Sequence, residues 1–372
     1  MDFSLTETQQ AVQRTFANFS DQEIRPVAGE LDKAGDFPRE LFAKVAELGY
    51  FGMRYAEPEG TGMDVLSYAL ATEELSRGSL SVAASCAMQS LMGTTFVHRF
   101  AEGALRDRLI EPAIRGELLG TVCMTEPDSG SDLFSMKTRA ELVDGTWRLT
   151  GQKMWITSAP VADMFTVFAR TADRALSVFL VEKGAPGLTV GRSIAKMGVR
   201  ASPTSEVSFD DTPATTILGE RDQGASYLRD LLAEVRVMTA ALALGTGQAA
   251  FDDARAYAAQ RQQFGKPINR FGAIQAHLAD MAVDLAAARQ MTHWAAWRCD
   301  QGMPNAQEAS MAKLFASEAA HRVCERAARI LASYGFAEEY PIERYLRDIR
   351  FTLIGGGTSE ILRINIAKGL SR

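Results

Sequence analysis

At 372 residues and 47% hydrophobic content, the chain is long enough to bury a large core and to divide into two or three domains. A formal net charge of −6 counts against nucleic acid or an anionic membrane as its main partner. No stretch reaches the ~18 uninterrupted apolar residues of a membrane span, and the polar, acidic start from Met1 and Asp2 to Glu7 is unlike a signal peptide.

In chain order, residues 1–118 carry helical patterns: Pro38 to Leu48 stopped by Gly49, Val65 to Ser76 stopped by Gly78, and a third from about 103 to 115. Residues 119–222 change texture to short β-rich runs. Arg139–Val143 and Thr146–Leu149 flank Asp144-Gly145, a strong hairpin signal, and 165–169, 176–181 and 206–209 continue the strand pattern. Residues 223–372 return to long alanine-rich helices, at about 226–261, 272–300, 305–333 and from Ser359 onward. Helices, then strands, then helices make an α+β chain that is mostly α, without the βαβ alternation of a doubly wound sheet.

The cysteines at 86, 123, 299 and 324 are scattered, as core thiols of a cytoplasmic protein would be, and the four histidines show no metal-ligand spacing. Gly245-Thr246-Gly247-Gln248-Ala249-Ala250 matches G-x-G-x-x-A, but the residues before it favour helix and no acid follows about 20 positions on. Close helix packing is the better reading. Gly355-Gly356-Gly357-Thr358-Ser359-Glu360 runs into a helix whose start Thr358 and Ser359 can cap; by itself this is a turn or an anion-binding N-terminus.

Thr121-Val122-Cys123-Met124-Thr125-Glu126-Pro127-Asp128-Ser129-Gly130-Ser131-Asp132 resembles the T-E-P-x-x-G-S-D signature of acyl-CoA dehydrogenases. Four more segments match that family in order: 151–157 (GQKMWIT), 196–202 (KMGVRAS), 261–267 (RQQFGKP) and 340–348 (YPIERYLRD). The resemblance covers nearly the whole chain. It implies an N-terminal helical domain, a middle β-barrel-like domain and a C-terminal four-helix bundle, assembled as a homotetramer with FAD.

Several site residues follow from the resemblance alone. Met124, Thr125, Trp155, Ile156 and Thr157 would line the flavin, Gly130 and Ser131 would open space beside the pyrophosphate, and Thr358 and Glu360 would complete the cofactor site. Arg261, Phe264 and Gln275 correspond to residues that reach the FAD of a neighbouring subunit. At 329–336 the family typically has Gln followed by Gly-Gly against that FAD, whereas here Arg329 would add a pyrophosphate contact and Ala332 and Ser333 make the backbone approach tighter. Ser131, Arg236, Gly355 and Gly356 would lie along the bound thioester. For Trp155, a plain sheet-core aromatic is the alternative.

The departures concern the base. The family's last motif is usually Tyr-Glu-Gly-Thr, whose Glu removes the α-proton; here those first two positions are Gly355 and Gly356. Some members keep the base directly before an arginine that corresponds to Arg236, and that position holds Val235. Glu234 lies one residue earlier, about 100° round a helix; it is a candidate base, or a carboxylate paired with a nearby cation. The expected activity is FAD-dependent dehydrogenation of an acyl-CoA or carrier-protein thioester, with an electron-transfer flavoprotein as acceptor. Desulfination, enoyl reduction, biosynthetic tailoring and a non-catalytic partner subunit stay open as alternatives.

Overall fold

The structure, a computed structural model, describes residues 3–173 and 175–370; the start read at Met1 and Asp2 lies outside them. Seven helices come first: α1 Glu7–Phe19, α2 Ala28–Ala34, α3 Arg39–Glu47, α4 Val65–Gly78, α5 Leu80–Ala87, α6 Thr95–Phe100 and α7 Gly103–Ile114. Local chemistry sets their starts. The Thr6 hydroxyl accepts from the Gln9 N–H at 3.2 Å while the Gln9 side chain accepts from the Thr6 N–H at 3.0 Å, a reciprocal cap for α1. Asp64 caps α4 by accepting from the Ser67 N–H at 2.6 Å. The helical run Leu80–Phe100 is long and apolar enough to cross a bilayer, yet 89% of its window is buried inside the protein. Its Val82, Cys86 and Phe96 side chains belong to the main core.

The sheet follows: β1 Gly120–Cys123, β2 Arg139–Val143, β3 Thr146–Thr157, β4 Met164–Ala172, β5 Ala175–Glu182, β6 Leu188–Val190, β7 Thr204–Pro213 and β8 Thr216–Ile217. Its order is β6-β7-β3-β2-β4-β5-β8, with β1 parallel to β4. β2 and β3 form the hairpin expected at Asp144-Gly145, where both turn residues take positive φ. The register of β3 against β7 shifts between Lys153 and Ile156, a bulge that shapes the site described below.

The third layer begins with α8, Gly224–Gln260, a helix of 37 residues. A small hairpin, β9 Gln262–Gln263 and β10 Lys266–Pro267, leads to α9 Gly272–Asp300, α10 Ala306–Leu331, α11 Ile342–Asp348 and α12 Ser359–Leu370. The glycine-rich stretch of α8 is a packing seam. A Cβ at Gly245 would lie 2.0 Å from the Glu73 carbonyl oxygen of α4, and one at Gly247 would press on Ala320 of α10 and Leu285 of α9 at 3.1 Å. Short elements such as α5 and α11 escape the sequence reading because seven or eight residues show too little periodicity.

Gly245→Val should therefore lower the thermal midpoint sharply, since backbone rather than a flexible side chain opposes it, with a cost of at least the ~1–3 kcal/mol of overpacking. Differential scanning calorimetry would show it; an unchanged midpoint would contradict the seam.

Candidate active site

The first wall is built where β1 runs out beside β3. Lys153 is fully buried, and its ammonium donates to the Met124 carbonyl at 3.0 Å and to Glu126 at 2.9 Å. Glu126 also accepts from the backbone N–H groups of Lys137 and Thr138, and the Met154 N–H donates to the Thr125 carbonyl at 2.8 Å. Burial works to raise the Glu126 carboxyl, but Lys153 and these N–H donors outweigh it and hold it below the ordinary range. The Met124-Thr125-Glu126 segment is thus bolted to β3 by a buried ion pair and a backbone ladder.

The β3 bulge sets Trp155 at φ +62° and leaves it 55% exposed, while Ile156 is buried beneath. The alternative of a sheet-core aromatic does not hold: without the register shift, Trp155 would alternate with its neighbours across the sheet. Thr121 fixes the end of the strand, its hydroxyl donating to the Thr157 carbonyl at 2.6 Å. Gly130 and Ser131 are exposed on the adjoining loop, and a Cβ at Gly130 would meet nothing nearer than the Thr125 methyl at 3.9 Å.

The second wall is helical. Gly356 takes φ +71°; a Cβ there would lie 2.9 Å from Thr239 Oγ1 and 3.7 Å from Val235 Cγ1. The two positions at which the family carries its base therefore face each other, and neither holds a carboxylate. The Thr239 hydroxyl is committed to the Val235 carbonyl at 2.8 Å. Gly355 sits on the Phe351 ring. Met124 and Phe351 pack against the same buried cluster that contains Val235, which links the two walls.

Glu234 is ion-paired with Arg54, whose guanidinium lies 5.7 Å over the Tyr68 ring. Its carboxylate thus turns toward the N-terminal helices, whereas Val235 and Thr239 face the glycine loop. This is the cation pairing weighed against a role as base. Arg236 is only 8% exposed, its Nε has no hydrogen-bond partner and one Nη reaches the Ala306 carbonyl at 3.5 Å. Lys313 on α10 is fully buried and donates to the Gly357 carbonyl at 2.6 Å. Burial first, and then Arg236, push its ammonium down to about 8. Thr358 caps α12 by accepting from the Ile361 N–H at 3.3 Å, beside the exposed Glu360 and the buried, unpartnered Ser359 hydroxyl.

The remaining candidates gather elsewhere. Arg261 ends α8 and lies 5.6 Å over the Tyr334 ring; Ser333 is next to that ring and exposed. Gln275 donates to the Asn269 carbonyl at 3.2 Å, and Arg329 is paired with Glu325 at 2.7 Å. Phe264 occupies the tight β9–β10 turn at φ +51° and is 91% exposed. From Arg236 to Arg261 is ~25 residues of helix, about 37 Å at 1.5 Å per residue. One chain does not bring this group to Gly356.

Sequence reading missed Arg54, Lys153 and Lys313 as site-forming cations. Arg54 has no local signal, because its partner is 180 residues away. Lys313 has one: it stands on a stripe of Ala309, Ala312, Ala316 and Ala320, all buried, where a lysine needs an explanation.

An isoalloxazine needs a flat apolar face, hydroxyl and backbone donors at its edge, and open backbone for the pyrophosphate. The outward Trp155, Thr125, Thr157, the uncrowded Gly130 and the orphaned Ser359 hydroxyl suit it. The fold and this site define a flavin-dependent oxidoreductase of thioesters. The acyl-CoA dehydrogenase N-terminal, middle and C-terminal domains match residues 6–117, 121–212 and 222–371, so the chain belongs to the acyl-CoA dehydrogenase family. It is 56% identical to benzylmalonyl-CoA dehydrogenase of Aromatoleum aromaticum, over all of both chains. The solved butyryl-CoA dehydrogenase of Megasphaera elsdenii superposes with a TM-score of 0.96 at 36% identity, again over 100% of each chain. An FAD complex, PigA with FAD and proline, reaches 0.96 at 29%, covering 100% of this chain and 99% of that one. The protein is an FAD-dependent acyl-thioester dehydrogenase.

Lys153→Met leaves Glu126 buried without its cation, which costs about 3–5 kcal/mol for a pair of this kind. Thermal melts together with flavin absorbance should show both a lower midpoint and reduced FAD occupancy. Normal occupancy would mean that the pair does not position Thr125 and Trp155.

Proposed function

We propose that the substrate is the CoA thioester of a 2-substituted malonate, and that loss of CO2 takes the place of α-proton removal. The observation behind this is the meeting of Gly356 with Val235, two base positions without a carboxylate. The similarity to benzylmalonyl-CoA dehydrogenase supplies the substrate class. In a 2-carboxy thioester the bond from C2 to the free carboxylate breaks, CO2 leaves and the electron pair stays on C2 as the thioester enolate. When bound, FAD would supply the acceptor for the hydride that leaves C3, and the balance is then an α,β-unsaturated thioester, CO2 and a flavin reduced by two electrons.

The chain's own groups fit this sequence by what they withhold. Val235 and Gly356 place no acid beside C2, and the Thr239 hydroxyl is already donating to a carbonyl. The enolate is therefore not quenched by a proton before C3 gives up its hydride. Glu234 acts by holding Arg54 in place.

Anaerobically, 2-benzylmalonyl-CoA should bleach the flavin with one CO2 released per flavin reduced. 3-Phenylpropionyl-CoA, lacking the carboxylate, should do so about 10²–10⁴-fold more slowly, the usual worth of a general base. Val235→Glu should raise the slower rate; it is a cleaner test than Gly356→Glu, which would force a side chain onto positive φ. Equal rates for the two thioesters would defeat the proposal. So would loss of the benzylmalonyl reaction in Glu234→Gln while FAD binding and folding are kept, since Glu234 would then be the base.

Assembly belongs to the same proposal. Arg261 at the end of α8, Phe264 in the turn beyond it and Gln275 on α9 lie a long helix away from Arg236, and an exposed aromatic on a strained turn suits insertion into a neighbour. A homotetramer with an electron-transfer flavoprotein as acceptor, in the cytoplasm, is the setting that fits. Arg261→Ala should lower FAD per chain in the purified protein by removing a charged pyrophosphate contact; full occupancy in a dissociated protein would contradict the arrangement.

A further inference from the structure

Arg236 and Lys313 are buried cations with no carboxylate in ion-pair contact among the described residues: burial alone acts on Arg236, and Lys313 feels Glu318 and Glu360 only at a distance. Burying a cation without a counter-charge is costly, and such groups are normally paired, hydrogen-bonded or used. Arg236 follows Val235 on α8 and is near enough to Lys313 of α10 to depress its ammonium, and that ammonium reaches the carbonyl of Gly357, next to Gly356. Each has spare donors: the Nε of Arg236 has no partner, and only one contact, to the Gly357 carbonyl, is made by the three-donor ammonium of Lys313. A family member with its base at 356 or 235 adds a carboxylate to this region. The chain offers none.

We infer that Arg236 and Lys313 form the subsite for the substrate's free carboxylate, so that the ligand brings the negative charge that the protein omits. This rests on the malonyl-type reading above and deepens it: the same two positions that remove the base also leave a cationic subsite for the group that makes a base unnecessary. Specificity then has a physical origin. A thioester without the second carboxylate leaves Arg236 with no counter-charge and Lys313 with only the distant Glu318 and Glu360, and is rejected for the same reason that a site built to hydrogen-bond a polar group rejects an analogue lacking it. Lys313 faces Arg236 from α8, Glu318 from its own helix and Glu360 from α12. Its titration near 8 gives the subsite a pH signature. Above that pH the ammonium is lost from the free protein, and binding of a carboxylate must take up a proton.

The test uses FAD-loaded protein and two redox-inert thioethers, S-(2-carboxy-3-phenylpropyl)-CoA and S-(3-phenylpropyl)-CoA, which differ by one carboxylate. Calorimetric titration should give tighter binding of the carboxylated ligand, with proton uptake above about pH 8 seen as buffer-dependent enthalpy. Arg236→Met and Lys313→Met should each weaken that ligand about 10- to 100-fold more than they weaken the other, the range of a charge-assisted hydrogen bond. If either variant fails to fold, Val235→Glu serves, because its new carboxylate occupies Arg236 and should weaken only the carboxylated ligand. Selectivity that survives in the variants overturns the subsite even if benzylmalonyl-CoA is turned over. Selectivity that disappears in them supports the subsite even if wild-type protein fails to release CO2, in which case the reaction assigned above is what falls.

Discussion

The close approach of α8 to α4 and α10 is the constraint on which the rest of the molecule depends. With no side chain at 245 or 247, α8 can run its 37 residues against α4 on one side and α9 and α10 on the other. That one rod carries Val235, Arg236 and Thr239 to the glycine loop, turns Glu234 toward Arg54, and delivers Arg261 to the far end. Displacing it by the width of a methyl group would move every one of those positions together.

The sheet side of the site is fixed by a different force. A lysine and a glutamate taken wholly out of water tie the Met124–Glu126 segment to β3, and the bulge two residues later reverses the direction of the next side chain. The stability of the pair and the exposure of Trp155 are therefore one device: the anchor lets the strand tolerate a residue in a left-handed conformation.

Much of this was legible in the sequence, for identifiable reasons. The long helices carry sustained patterns, the Asp144-Gly145 hairpin has local turn chemistry, and motifs such as Thr125–Glu126 and Trp155–Thr157 are contiguous. The absence of a base at 356 and 235 was legible too, since absence needs only a register. Whether Glu234 could substitute was not legible. Its partner Arg54 is distant in the chain, and only the azimuth of α8 decides which neighbour meets which side chain. The same holds for Lys313, whose burial shows in the alanine stripe around it but whose carbonyl partner does not. Trp155 illustrates the reverse case, where motif company outweighed strand periodicity because a bulge had broken the period.

The length of α8 has a thermodynamic consequence. If the arginine at its far end completes a neighbour's cofactor site, then retention of FAD and association of subunits are linked equilibria. Dilution would loosen the flavin, excess flavin would hold the oligomer together, and the apparent cofactor affinity would be a function of protein concentration rather than a constant of the chain.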